Sequence, residues 1–280
     1  MYDPIIMRIF VLSLPLIVFS LVCSAQKNKV YRSFDEAFAN PLQVYHLKVT
    51  YKHLDSIPPG ISKLTNLKIL ELNNNDLKSI PPEILALPSL KELNLYRNKL
   101  TVLPADLGNM RMLEKCILSA NKIKQLPASI GQLTNLIELS VKDNILTSLP
   151  DEFCNLIKLE QLFLSYNDIK ALPEAFGNLV RLEQLYLNNN DLLSIPFSTS
   201  KLVDMKYLYL GRNELIDYPS ALCSMTRLKE LDLAYSGAIG FLPDCLKNIQ
   251  LLDILIMDNG QTLPFNKAFF HNPSLKVIVK

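Results

Sequence analysis

A chain of 280 residues, 49% of them hydrophobic and 20% charged, can build a large core, which excludes a natively disordered chain. Its formal net charge of +2 comes from interspersed acids and bases, which points away from nucleic acid and anionic membrane as partners. With only 8 glycines no phosphate-cradling loop is available, and no cofactor is expected.

The N-terminus reads as an export signal, residues 1–25. Arg8 precedes an apolar run, Ile9 to Val22, too short to span a bilayer comfortably. The small residues Cys23, Ser24 and Ala25 follow, with cleavage expected after Ala25; Met7 is an alternative initiator. Lipidation at Cys23 and an uncleaved anchor are the competing readings, although Val22 is bulky for lipoprotein processing. Either would give the only membrane contact expected. Residues 26–43 form an N-terminal cap in which Ser33-Phe34-Asp35-Glu36 is a capping-box pattern that starts a short helix, stopped at Asn40-Pro41.

From residue 44 to 260 a repeat dominates. Asn75, Asn98, Asn121, Asn144, Asn167, Asn190 and Asn213 follow each other at 23-residue intervals; Ser236 continues the register and Asn259 is expected to resume it. Around each lies the frame L-x-x-L-x-L-x-x-N-x-L, as in Leu67, Leu70, Leu72 and Leu77. The L-x-L alternation predicts a short strand with its leucines inward. The asparagines are expected to turn inward and bond the backbone where the chain leaves the strand. A proline such as Pro127 or Pro150, with apolar residues three and six positions later, predicts a turn of helix or 3-10 structure. Stacked units give an α/β solenoid whose ten strands make a sheet about 45 Å long. Gly237 to Phe241 holds an extra residue, and residues 261–280, with polar Asn266 and Lys267 after Pro264, read as a degenerate closing repeat.

The unit "SLPDEFCNLIKLEQLFLSYNDIK", Ser148 to Lys170, resembles the 23-residue leucine-rich repeats with an L-P-x-x-I/F motif. The front segment resembles the cap of secreted bacterial members, and the cysteine-rich flanks of animal extracellular members are missing. The resemblance covers about Val44 to Lys280 and implies a curved solenoid with a concave parallel sheet and a protein-binding role.

Residues between inward leucines face the concave side. At the central slot these are Glu71, Asn94, Ile117, Ser140, Phe163, Tyr186, Tyr209, Asp232 and Leu255. Phe163, Tyr186 and Tyr209 are neighbours in successive strands, and Tyr166, Tyr207, Arg212 and Tyr235 fall nearby. Folding needs only the leucines, so this aromatic set is the candidate partner-binding surface. The expected partner is a protein; a glycan, which also stacks on tyrosine, and a structural or adhesive cell-envelope role are the alternatives. The expected location is secreted, or the cell surface or periplasm.

No catalytic or metal site emerges. His46, His53 and His271 lie at the two ends, and no serine or cysteine is placed to use them. Cys116 replaces a repeat leucine, whereas Cys223 and Cys245 fall on neighbouring repeats, where a disulfide is an open question.

Overall fold

The computed structural model describes residues 29–237, 240–263 and 270–280. The signal segment with Cys23 and Ala25, and Pro264, Asn266 and Lys267 of the closing repeat, lie outside the described residues.

The strands in chain order are β1 (Val30–Tyr31), β2 (His46–Lys48), β3 (Ile69–Glu71), β4 (Glu92–Asn94), β5 (Lys115–Ile117) and β6 (Glu138–Ser140). They continue as β7 (Gln161–Phe163), β8 (Gln184–Tyr186), β9 (Tyr207–Tyr209), β10 (Glu230–Asp232), β11 (Gly240–Phe241), β12 (Ile254–Met257), β13 (Gln261–Thr262) and β14 (Lys276–Val279). All but β11 and β13 join one 12-stranded sheet in sequence order. Every pairing in it is parallel, with central-slot residues in register: Phe163 faces Tyr186, and Tyr186 faces Tyr209. The sheet's twelve strands are the ten of the repeats with β1 added in front and, in the closing repeat at Val277 and Ile278, β14 added behind. The flanking leucines, such as Leu162, Leu164, Leu185 and Leu187, are buried on the other face.

Behind the sheet the chain turns after each proline. Ala128–Gln132, Asp151–Asn155 and Ser220–Ser224 are 3-10 segments that begin directly after Pro127, Pro150 and Pro219. A proline at that boundary costs little because the first N–H groups of a helix have no internal partner. Their apolar residues close the core; the rings of Phe153 and Phe176, both fully buried, stack 6.5 Å apart.

The asparagines form a continuous ladder. Asn144 Nδ2 donates to the carbonyls of Val141 and Leu118, both at 3.1 Å, and its Oδ1 accepts from Ile123 N at 2.9 Å. Each amide therefore ties its own turn to the turn before. The residue preceding each asparagine takes up left-handed backbone, as at Asp143 (φ 57), Tyr166 (φ 59) and Arg212 (φ 55), and so does Tyr235 (φ 57) before Ser236. That conformation costs non-glycine residues about 1 kcal/mol or more, a strain the buried ladder holds in place.

Two expectations near the C-terminal end need correction, both because of the extra residue before Phe241. Leu255 does not face the concave side: it pairs with Leu231 and is buried, and Ile256 takes the slot opposite Asp232. Asn259 does not resume the ladder and is exposed. Gln261, one methylene longer and displaced along the chain, donates through Nε2 to Leu233 O at 2.6 Å and takes that role. Ser236 is too short to accept as its predecessors do, so Leu215 N donates instead to the Ser236 backbone carbonyl at 2.7 Å.

The ends are closed differently. In front, helix α1 (Phe34–Ala39) begins at Ser33, whose Oγ accepts from Glu36 N at 3.2 Å, and Glu36 Oε2 reaches back to Arg32 N. At the back a disulfide joins Cys223 to Cys245, resolving the open pairing. Burial pushes the free thiol of Cys116 up to about 12 and that of Cys154 up to about 11, so both stay protonated and inert.

Candidate functional site

Strand register alone brings three rings together. Phe163, Tyr186 and Tyr209 project from β7, β8 and β9 on the concave face. The Phe163 and Tyr186 rings lie 4.9 Å apart, and those of Tyr186 and Tyr209 lie 4.4 Å apart at 11°. These spacings match the strand repeat of about 4.8 Å, so the rings stack along the sheet with their faces turned to each other. Only edges meet solvent between them. In the strand register the stack is followed at its two ends by Ser140, before Phe163, and by Asp232, beyond Tyr209.

The tip of the stack is tied down. The Tyr209 hydroxyl donates to the Glu230 carboxylate and is hydrogen-bonded to the Tyr186 hydroxyl. Burial, reinforced at Tyr209 by the bond to Glu230, raises both phenols above their ordinary value, so they remain neutral donors at physiological pH. Tyr207 pairs with Glu230 along the strand register and sits at the margin of the stack.

A second row stands parallel to the first. Tyr166, Asn189, Arg212 and Tyr235 occupy the left-handed positions of successive repeats and mark the opposite wall. Tyr166 is 51% exposed and Tyr235 50% exposed. Lys142 Nζ lies 5.2 Å from the Tyr166 ring, and the Arg212 guanidinium lies 6.0 Å from that of Tyr235. Between the walls the residues are short: Ser165, Asn188, Gly211 and Ala234. At Gly211 a Cβ would meet Ala234 O at 2.8 Å and Asp232 Oδ1 at 2.9 Å, so only glycine leaves the Asp232 side chain where it lies.

Walls and floor enclose two adjoining hollows. One, of about 440 Å³, runs from Lys142 and Phe163 to Asp232, and the other, of about 220 Å³, runs from Tyr166 to Lys280. Tyr166, Asn188 and Asp232 line both, so together they make one channel across the strands. Asp232 Oδ1 accepts from Ala234 N at 2.9 Å. Burial holds the Asp232 carboxyl above its ordinary value, against the lowering effect of that bond and of Lys280 and Arg212. A hollow of similar volume, about 460 Å³, opens on the other side between Leu85 and Met112, but its lining contains no aromatic residue.

All seven residues expected at the site are in this region. Phe163, Tyr186 and Tyr209 form the stack, Tyr166, Arg212 and Tyr235 the facing wall, and Tyr207 the margin. Sequence reasoning did not assign Glu230, Asn188, Gly211 or Lys280 to the site. Glu230 lies in register with Tyr207, so aligning that column of the repeat would have found it; Asn188 and Gly211 belong to a column of short residues with no flagged member, and Lys280 arrives only through the closing strand. Among the described residues no group of histidine, cysteine and acid residues is arranged to hold a metal ion.

This architecture is that of a repeat solenoid, and the leucine-rich-repeat family model matches residues 65–123, 111–169, 134–192 and 181–239. The chain belongs to the leucine-rich-repeat family. A leucine-rich-repeat protein of Leptospira interrogans is similar in structure at a TM-score of 0.72 and 26% identity, over 90% of this chain and 76% of that one. The ectodomain of the Arabidopsis thaliana receptor kinase GASSHO1/SCHENGEN3, solved in complex with CASPARIAN STRIP INTEGRITY FACTOR 2, gives 0.74 and 25%. There the match covers 85% of this chain but 33% of the receptor. An internalin of Listeria monocytogenes shares the fold at 0.68 and 19% identity, over 88% of this chain and 76% of that one. No curated protein sequence matches.

Proposed function

We propose that this protein is an exported binding module that captures an extended polypeptide segment in its concave channel. The observation that carries this reading is the channel itself: an aromatic stack on one side, Tyr166, Arg212 and Tyr235 on the other, and short side chains between them. Five strands, β6 to β10, span about 19 Å, a length that about six residues of extended chain would cover. Tyrosine and arginine supply large contact area at low entropic cost, as they do in binding hot spots. The plant receptor ectodomain that this chain resembles was solved with its factor bound, which supports a protein partner.

A glycan fits less well, because sugar stacking needs open ring faces and the inner faces of this stack cover each other. Export is supported by residues 1–25, read as a cleaved signal, and by the Cys223–Cys245 disulfide, which suits an oxidising compartment. Among the described residues no helix is long and apolar enough to cross a membrane. The remainder divides into a cap over residues 26–43, repeats over 44–260 and a closing repeat over 261–280.

The test is capture of partners by the mature protein from its native surroundings, followed by affinity measurement on what is recovered. Replacing Tyr186 and Tyr209 together with alanine should weaken binding by on the order of tenfold or more. The circular-dichroism melt should stay nearly unchanged. Undiminished binding by the double variant would move the site elsewhere and leave the structural or adhesive role as the better account.

A further inference from the structure

On the concave side several charges are matched between neighbouring repeats: Lys48 and His46 lie on Glu71, Lys91 on Glu114, Lys115 on Glu138 and Lys206 on Glu183. The charges that line the channel are not. At the 23-residue spacing of the repeat, the column of Lys142 has Ser119 and Ser165 on either side, and that of Arg212 has Asn189 and Tyr235. Neither cation has an acid beside it in its column. Among the described residues the two hollows are lined by Lys142, Arg212 and Lys280 against Asp232 alone, and none of the four forms an ion pair. Asp143, Asp168, Asp191 and Glu214, in or just beyond the left-handed row, line neither hollow.

The hydrogen-bonding groups have the same polarity. Asn188, which lines both hollows, accepts through Oδ1 from Ser165 Oγ at 2.6 Å, so its Nδ2 group is what remains for a ligand. Oδ1 of Asp232 is already taken by Ala234 N. Arg212 lies over the Tyr235 ring and Lys142 over that of Tyr166, contacts that involve no acceptor oxygen. Among the described residues the guanidinium, the Lys142 ammonium and Asn188 Nδ2 meet no hydrogen-bond acceptor. The second hollow therefore presents donors in excess, from Asn188, Arg212 and Lys280.

We propose that the channel selects its peptide through an acidic side chain, an aspartate or glutamate whose carboxylate seats in the second hollow on the Arg212 guanidinium and the Asn188 amide. A planar guanidinium offers two parallel N–H groups to the two oxygens of a carboxylate, which fixes orientation as well as charge. The Tyr235 ring beneath it holds the guanidinium before the ligand arrives, so less freedom is lost on binding. Lys280 adds charge to the same hollow, and Lys142, lining the other, steers acidic sequences toward the channel. Asp232 is the opposing charge, and it weakens the site. This proposal rests on the channel being the binding site.

Selection of random linear dodecapeptides displayed on phage tests both readings and separates them. The displayed peptides are fused to the coat protein at their C-termini, so the carboxylates they offer are those of side chains. On the wild-type protein the enriched peptides should carry aspartate or glutamate at one fixed position. A synthetic, C-terminally amidated peptide of the consensus sequence should lose on the order of tenfold or more in affinity when that residue becomes its amide, and comparably on the Arg212→Gln protein. The two losses should not add when combined. Arg212→Lys, which keeps the charge but not the paired N–H groups, should fall between. Asp232→Asn, whose near-isosteric amide keeps the Ala234 bond, should bind the acidic peptide at least as tightly as wild type. Enriched peptides that depend on Tyr186 and Tyr209 but are basic or uncharged throughout, or that bind Arg212→Gln as tightly as wild type, overturn the acidic-residue proposal and leave the channel standing. So does a loss of affinity on Asp232→Asn. Peptides indifferent to the Tyr186→Ala and Tyr209→Ala changes remove the channel reading, and this proposal with it.

Discussion

Asn144 shows how one side chain decides a turn. Its amide makes three bonds to backbone groups that water cannot reach, in two different repeats. Asn144→Ala would leave Ile123 N and two carbonyls without that partner, at a cost of about 1–3 kcal/mol. Lys124→Gln, on an exposed side chain, should change stability by less than about 0.5 kcal/mol. Thermal melts of the two variants decide the matter, and equal midpoints would mean the ladder does not bear the turn. This role was legible in the sequence because a buried polar residue at strict spacing has few other uses. The left-handed backbone just before it was not legible: Tyr166, Arg212 and Tyr235 are poor candidates for that conformation by propensity, and only the ladder beside them imposes it. They were therefore recognisable as surface residues but not as one wall of a channel.

At the scale of the element, the closing repeat is the weak link, since a terminal unit is packed on one side only. Regular spacing carried the reading reliably up to Ser236; the extra residue then shifted Leu255 inward and displaced the ladder to Gln261. Strand period two is unforgiving here, because a slip of one residue exchanges the buried and exposed faces. The Cys223–Cys245 bond joins Ser220–Ser224 to the next 3-10 segment, Asp244–Asn248, across a sequence separation of 22. Closing a loop of that size restricts the unfolded chain by about 3 kcal/mol in the entropic account. Replacing both cysteines with serine should therefore loosen the C-terminal end selectively. Hydrogen exchange should rise in β12 and β14 while β3 to β6 remain protected. Uniform protection in both forms would show that apolar packing of Leu246, Ile249 and Leu252 is sufficient alone.

Across the whole molecule the two halves of the concave sheet should respond oppositely to acid. In front, Glu71 feels burial, which raises its carboxyl, but the bonds from Lys48 at 2.6 Å and His46 at 2.8 Å outweigh that and hold it below its ordinary value. A carboxyl lowered by folding contributes stability that is present above its unfolded pKa and lost as pH falls through the folded one. At the channel Asp232 is raised, so its ionisation opposes folding and its protonation relieves that cost as pH falls. Solenoid repeats are coupled mainly to their neighbours, which lets the two ends differ. Glu71→Gln should therefore lower the melting temperature at about pH 7, and the gap from wild type should narrow progressively as acid protonates the Glu71 carboxyl. Asp232→Asn should behave inversely, matching or exceeding wild type at about pH 7 and converging with it near pH 3. A gap for Glu71→Gln that persists unchanged at low pH would mean the substitution acts through packing rather than charge, and the contrast between a neutralised front and an uncompensated acid at the channel would no longer hold.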